Sequence, residues 1–294
     1  MKRLLLVDSS SYIYRAFYAL PPLTSPKGVP TGAIYGFVRM LLKLINDFNP
    51  DYIAAVFDSK GKTIRHQQFT EYKANRRETP DSLSIQIPYI KEILNTLNIK
   101  IVKKEGFEAD DIIATLAKDA EKRGFEVIVV TPDKDMLQLV DEKIKVFNPV
   151  SEILYDSQKV KEKYGIEPTQ FVDYLALVGD PVDNVPGIKG IGPKTASELL
   201  NKYGSIENIL QNLDRLSEKY RKLFESIDRE SVEKSKQLVN LYQTEIEIDI
   251  EDLKKGKPDL TKLKQIFDEL GFKSLMKDVE KSKPKEEIKQ KTLF

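Results

Sequence analysis

The chain contains no cysteine, no tryptophan and a single histidine, His66, in 294 residues. Without cysteine there are no disulfides, no thiol nucleophile and no thiolate metal site. One histidine excludes a histidine-rich metal site and leaves little from which to build a histidine-based triad. Metal chemistry here must rest on oxygen ligands, which suits Mg²⁺ or Mn²⁺. Net charge is also scarce. Lys and Arg number 47 against 46 Asp and Glu, so the formal charge is +1, and a nucleic-acid surface has to be a local patch. Long apolar runs are missing. Lys2-Arg3 is followed by only four apolar residues before Asp8, which is too short for a signal peptide, and no run reaches membrane length. A soluble, cytoplasmic, monomeric chain without membrane contact is expected. Its length suits one large or two small domains, and its 40% hydrophobic content is ample for a core.

What is abundant is carboxylate in particular places. Glu108-Ala109-Asp110-Asp111 opens a helix in which Ile112, Ile113, Leu116, Ala117 and Ala120 recur at helical spacing and Gly124 ends the pattern. A helix dipole accounts for one or two acids in a first turn. It does not account for three in four positions followed by Asp133 and Asp135, which lie just past a short buried strand at residues 126–131. Ligands of open α/β sheets bind at that strand end. Five carboxylates brought together repel one another unless cations sit among them, so the stretch predicts a divalent-metal site.

Other strands point to the same edge. Residues 2–7 read as a central parallel strand ending at Asp8, and residues 52–57 as a second followed by Asp58. Residues 99–103 form a third, and residues 144–148 and 153–155 read as smaller strands at the sheet edge. Helical spacing covers 33–48, 82–97, 169–178 and 259–270, with a Pro/Gly-rich loop at 21–32. The fold class is therefore α/β, a mostly parallel central sheet flanked by helices. A catalytic core over 1–165 and a helical region over 166–280 are expected. From residue 281 the charged, apolar-poor tail is predicted to be disordered.

Two further stretches suit phosphate. Residues 60–77 carry Lys60, Lys62, Arg65, Lys73, Arg76 and Arg77 against one acid, Glu71, with Phe69 and Tyr72 interleaved. A charge run is commonly a solvated face. One sign dominating directly after a metal-ligand candidate favours a phosphate-tracking arm with a stacking aromatic. Later, Gly187-Ile188-Lys189-Gly190-Ile191-Gly192-Pro193-Lys194 places three glycines in six positions, with Pro193 suited to a first helical turn. Exposed backbone N–H groups there make an anion cradle, and Lys189 and Lys194 add charge. The spacing, over 185–200, is that of a helix–hairpin–helix that binds DNA backbone.

Taken together, Leu-Val-Asp8, Phe-Asp58, Glu-Tyr72-Lys73-Ala-Asn-Arg76, Glu108-Ala-Asp110-Asp111, Thr-Pro-Asp133-Lys-Asp135 and Gly-Asp180-Pro-Val-Asp183-Asn-Val-Pro-Gly resemble the 5′-nuclease family. That family includes the 5′-nuclease domain of bacterial DNA polymerase I, phage exonucleases and flap endonucleases. The likeness runs from Leu4 to about Lys277. It implies a 5′→3′ exonuclease or flap endonuclease of PIN-like fold that hydrolyses phosphodiesters of DNA, with RNA primers as an alternative substrate. The resemblance implies that Asp8, Asp58, Glu108, Asp110, Asp111, Asp133, Asp135, Asp180 and Asp183 hold two Mg²⁺ or Mn²⁺ ions, directly or through water. It makes Lys73 and Arg76 contacts to the scissile phosphate from a helical arch at 60–82, and Tyr72 a stacking residue. Arg15 and the 28–32 loop would approach the backbone. Gly187, Lys189, Gly190, Gly192 and Lys194 would grip the duplex, with a K⁺ ion on the hairpin carbonyls. The family's polymerase members continue into further domains, and this chain is expected to be a stand-alone enzyme. Its last residues, Gln290-Lys291-Thr292-Leu293-Phe294, resemble the peptide by which bacterial replication enzymes dock on the sliding clamp. Gln290, Leu293 and Phe294 would be the anchors.

Rival readings fare worse. An aspartyl phosphatase wants Asp-x-Asp after the first strand, and Ser9-Ser10 follow Asp8. A non-enzymatic DNA-binding scaffold has no need of an intact carboxylate set. An RNA-directed nuclease of the same fold has no need of a duplex-gripping hairpin.

Overall fold

Residues Leu4, Leu5, Leu6 and Val7 are all fully buried, and this continuous apolar run is what an interior parallel strand requires. In the computed structural model, which describes residues 1–59, 61–69, 71–74 and 78–281, it is β1 (Arg3–Asp8). The others are β2 (Tyr52–Val56), β3 (Lys100–Val102), β4 (Glu126–Val130), β5 (Ile144–Asn148) and β6 (Ile153–Tyr155). Their order across the six-stranded sheet is β3-β2-β1-β4-β5-β6. All neighbours are parallel except the antiparallel pair β5–β6.

This topology has one functional consequence. The chain leaves β1 toward β2 and β3, then crosses back to β4 on the other side of β1. Open α/β sheets bind ligands beyond the carboxyl ends of the strands at such a reversal, here β1 and β4. Register sets what stands there. Val7 pairs with Ala55 and Val130, and Asp8 with Val56. Asp58 and Asp133 therefore follow within three residues on the flanking strands.

Two compact units are present. The first comprises Met1–Tyr12, Asp51–Thr79 and Ile99–Lys255 and contains the whole sheet. Helix Ala109–Lys122 buries Ile112, Ile113, Leu116, Ala117 and Ala120, the face its spacing predicted, and Gly124 follows it at φ +83°. The 205–242 stretch yields helices Ile206–Gln211, Glu218–Glu225 and Arg229–Val239. Ile209, Phe224, Val232, Leu238 and Val239 tie them into the core.

The second unit comprises Ile13–Pro50, Pro80–Asn98 and the chain from Gly256 on. Its helix Gly32–Phe48 stops at Asn49, a left-handed cap before Pro50. Its first turn is capped from a distance: Gln86 Oε1 accepts the N–H groups of Ala33 (2.8 Å) and Ile34 (3.2 Å). The helix expected over 82–97 is two, Asp81–Ser84 and Ile87–Thr96. Pro88 explains the break, since it fits a first turn and not a helix interior. Arg15 lies half-buried in helix Ser9–Ala19, within this unit.

Candidate active site

The acidic residues gather beyond β1 and β4 in the first unit. Asp8 ends β1 and is 2% exposed. Its Oδ1 accepts the Ser11 N–H (3.1 Å) and its Oδ2 the Thr131 hydroxyl (2.8 Å). Asp58, just beyond β2, accepts the Ala109 N–H on Oδ1 at 2.9 Å, so it caps the helix that carries Asp110 and Asp111. Asp133 begins a 3₁₀ turn and accepts the Asp135 N–H at 2.9 Å. Asp180 and Asp183 lie in a tight turn closed by the Asp180–Val185 bridge.

Electrostatics divide these nine groups in a way that their spacing does not. Burial pushes the Asp8 carboxyl up to about 6, aided by the charge of Asp58. Burial pushes Asp135 to about 8, with Asp133, Asp180 and Asp183 adding repulsion. Asp110 is raised well above the usual range by burial and by Asp133 and Asp8, and Asp133 is raised by burial and Asp183. Such groups resist ionising together. Oδ1 of Asp135 is also buried without a hydrogen-bond partner.

The other acids carry protein cations. Glu108 Oε2 accepts from Lys73 (2.9 Å), Tyr72 (3.2 Å) and Arg65 (3.3 Å). Lys73 also lies 3.7 Å from Asp183. Lys134 pairs with Asp180 and lies 3.9 Å from Asp135. Burial disfavours the Asp180 charge, but Lys134 and the Val182 N–H hold its carboxyl below the usual range.

Four expectations change on this geometry. Asp111 is not a free ligand. Arg65, 2% exposed, grips both its oxygens at 2.8 Å. The N–H groups of Tyr242 and Glu108 take the remaining acceptor positions. Arg65 is correspondingly no phosphate-tracking residue, because it also donates to the carbonyls of Leu238 (3.0 Å) and Asn240 (2.6 Å). Tyr72 is 5% exposed and stands edge-on to His66, so its ring offers no open face to a base. Gly187 does not cradle an anion. It packs backbone to backbone on Gly179, and a Cβ at Gly187 would stand 2.5 Å from Gly179 N.

The rest of the hairpin is arranged differently from Gly187. Ile188 and Ile191 are buried anchors, while Lys189, Gly190 and Gly192 are exposed ahead of helix Pro193–Tyr203 and Lys194 is exposed in its first turn. Gly190 sits at φ +96°, where a side chain is strained. Lys73 is buried among the acids, with a left-handed backbone at φ +55° whose N–H reaches the Asp183 carbonyl at 3.4 Å. Arg76 lies outside the described residues, as do Gln290, Leu293 and Phe294.

The donor set fits hard divalent cations, being all oxygen, mutually repelling, and including one orphaned buried oxygen. Among the described residues no three of the acids enclose a single ion position as they stand.

Residues 3–165 match the family described as 5′-3′ exonuclease, N-terminal resolvase-like domain, and residues 166–261 match its C-terminal SAM fold. The chain belongs to the 5′-3′ exonuclease family. It is 50% identical over 282 residues to a 5′-3′ exonuclease of Aquifex aeolicus, covering 96% of each chain. It is 42% identical over 282 residues to DNA polymerase I of Caldicellulosiruptor bescii, covering 94% of this chain and 33% of the relative. The chain thus spans about a third of the polymerase I relatives it matches. Among solved structures it shares its fold with a phage T5 5′-exonuclease bound to zinc ions (TM-score 0.68, 20% identity, 96% of this chain and 98% of the other). The same holds for the catalytic core of Rad2 in complex with DNA substrate (TM-score 0.63, 20% identity, 96% and 92%). Among the described residues no helix is long and apolar enough to cross a membrane.

Proposed function

We propose that this exonuclease-family chain hydrolyses phosphodiesters of DNA that carries a 5′ single strand or flap, with Mg²⁺ or Mn²⁺ as cofactor. The observation that carries this reading is the partly buried carboxylate cluster at the sheet's switch point, whose members push one another's protonation upward. Asp8, Asp58, Asp110 and Asp133 would hold the ions first, since among the described residues none of them pairs with a lysine or arginine, and Asp135, 3.9 Å from Lys134, would follow. Glu108, Asp180 and Asp183 join through the pairs they make with Lys73 and Lys134. When bound, two such ions activate the attacking water and neutralise charge at the phosphate.

The protein's own groups do the rest. Lys73, held between Glu108 and Asp183, would meet a phosphate oxygen at the cluster, with Arg76 as its companion. Lys189 and Lys194 would attract the duplex backbone beside the exposed N–H groups that open helix Pro193–Tyr203. Arg15 is proposed to contact the backbone, and K⁺ to bind the hairpin carbonyls. A monomer acting inside the cell, tethered to the sliding clamp by its last residues, completes the proposal. The test is incubation of a 5′-labelled flap duplex with Mg²⁺, and again with excess EDTA. Short 5′ products only with Mg²⁺ support the reading, and equal cleavage in EDTA overturns it.

A further inference from the structure

The cluster contains two kinds of cation. Arg65 and Lys73 are buried, and both are locked by several partners. Lys134 is different. Its side chain is 40% exposed, and it lines an open cleft with Thr131, Asn148, Tyr155 and Lys163. Its ammonium nevertheless turns inward to Asp180, which is buried, and stands 3.9 Å from Oδ1 of Asp135, which accepts no hydrogen bond. The second oxygen of Asp180 is held by the Val182 N–H at 2.8 Å. A lysine head on a flexible four-carbon stem is a mobile point charge, and with 40% of the side chain exposed the stem has a path outward to solvent.

We propose that Lys134 is a built-in counter-ion for the Asp135–Asp180 end of the cluster, so that a divalent cation binds there only by displacing it. This rests on reading the cluster as a divalent-metal centre. The physical argument is competition. A bare cluster of this density would oppose folding, and one displaceable ammonium offsets part of that repulsion. The same ammonium repels an arriving dication until it moves. The chain then takes up its ions unequally: more readily at Asp8, Asp110 and Asp133, and more weakly where Lys134 must leave. Lys134 is here a positioning residue that sets ion affinity, distinct from Lys73, whose burial keeps it in place.

The experiment is calorimetric titration of Mg²⁺ into the full chain without DNA, so that no turnover is involved. Wild type, Lys134→Met, Lys134→Arg and Lys163→Met are compared, with circular dichroism confirming each fold. Lys134→Met should tighten the weaker binding step by about fivefold or more, the lower end of ordinary site–site coupling. Lys134→Arg, which keeps the charge, should stay near wild type, and so should Lys163→Met, which leaves the Asp180 pair intact. Unchanged or weaker Mg²⁺ binding by Lys134→Met, with wild type binding normally, overturns the counter-ion role alone. Equal tightening by Lys163→Met also overturns it, since the effect would be general charge. No Mg²⁺ uptake by wild type overturns the metal-centre reading and this inference with it.

Discussion

Replacing Arg65 by alanine should cost this protein a large part of its stability, although the sequence places Arg65 in a stretch that looks made for phosphate. Its guanidinium bonds both oxygens of Asp111 at 2.8 Å and two backbone carbonyls, Leu238 and Asn240. The Asp111 side chain is 1% exposed. Arg65→Ala therefore leaves a buried carboxylate with no cation and two carbonyls with no donor. Breaking one side of a buried ion pair costs about 3–5 kcal/mol, and each stranded acceptor adds about 1–3 kcal/mol where it stays dry. Water entering the void recovers some of this, so a net loss of about 4 kcal/mol is expected, against a total of roughly 5–15 kcal/mol for a folded domain. Urea denaturation followed by circular dichroism measures it. Asp111→Ala and the double variant complete a cycle, and a coupling of about 2–3 kcal/mol is expected for groups in direct contact. Two functional arms follow. Asp111→Asn should bind Mg²⁺ nearly as wild type does, whereas Asp133→Asn should bind it more weakly. A stability loss below about 1 kcal/mol for Arg65→Ala, or equal loss of Mg²⁺ binding by both Asn variants, would refute the pairing argument and return Asp111 to the ligand set.

Without divalent ions the fold should weaken as pH rises. Asp8 and Asp135 have folded values of about 6 and about 8 against 3.8 when unfolded, so the folded state binds more protons in between. Their stabilising contribution is fully present below about pH 4, fades above it, is lost by about pH 6 for Asp8 and about pH 8 for Asp135, and should be restored by Mg²⁺. Melting curves at pH 5 and 8.5, with Mg²⁺ and with EDTA, check this, and a flat EDTA profile would contradict it. Lys189→Glu with Lys194→Glu should weaken duplex binding and flatten its salt dependence by about two contacts, and an unchanged slope in filter binding would make the hairpin purely structural. Gly187→Ala should destabilise by about 1–3 kcal/mol, because its Cβ meets Gly179 N at 2.5 Å. It should reduce cleavage through displaced Asp180 and Asp183, and wild-type melting would refute the interlock. Titration of purified sliding clamp against the full chain and a version ending at Lys289 should show binding only by the former, and equal binding by both would exclude Gln290, Leu293 and Phe294 as anchors.

Local pattern was enough for most of the architecture. The run Leu4–Leu5–Leu6–Val7 had to be an interior strand, since four successive apolar residues need burial on both faces. The period through Ile112, Leu116 and Ala120 had to be a helix with one buried face. Strands ending in Asp8 and near Asp58 and Asp133 fixed the edge at which the acids meet, because parallel strands all present their carboxyl ends to one side. Those readings depend on neighbours in the chain, and sequence records neighbours.

What the sequence could not record is which charge faces which. Arg65 and Asp111 are 46 residues apart, and Lys134 and Asp180 are equally far apart. A basic run reads alike whether its members point to solvent or into a cluster. Only the fold decides that Arg65 is turned inward onto Asp111 and two carbonyls, and that Tyr72 spends its hydroxyl on Glu108. The Gly179–Gly187 contact has the same character. Glycine's lack of a side chain serves an anion cradle and a backbone crossing equally well, and the sequence suggested the first. The physical reason is that pairing in a low-dielectric interior depends on distances of a few ångström between groups remote in the chain. Composition and spacing determine which charges are available, and tertiary structure alone determines which of them are already neutralised and which remain for a cation or a phosphate.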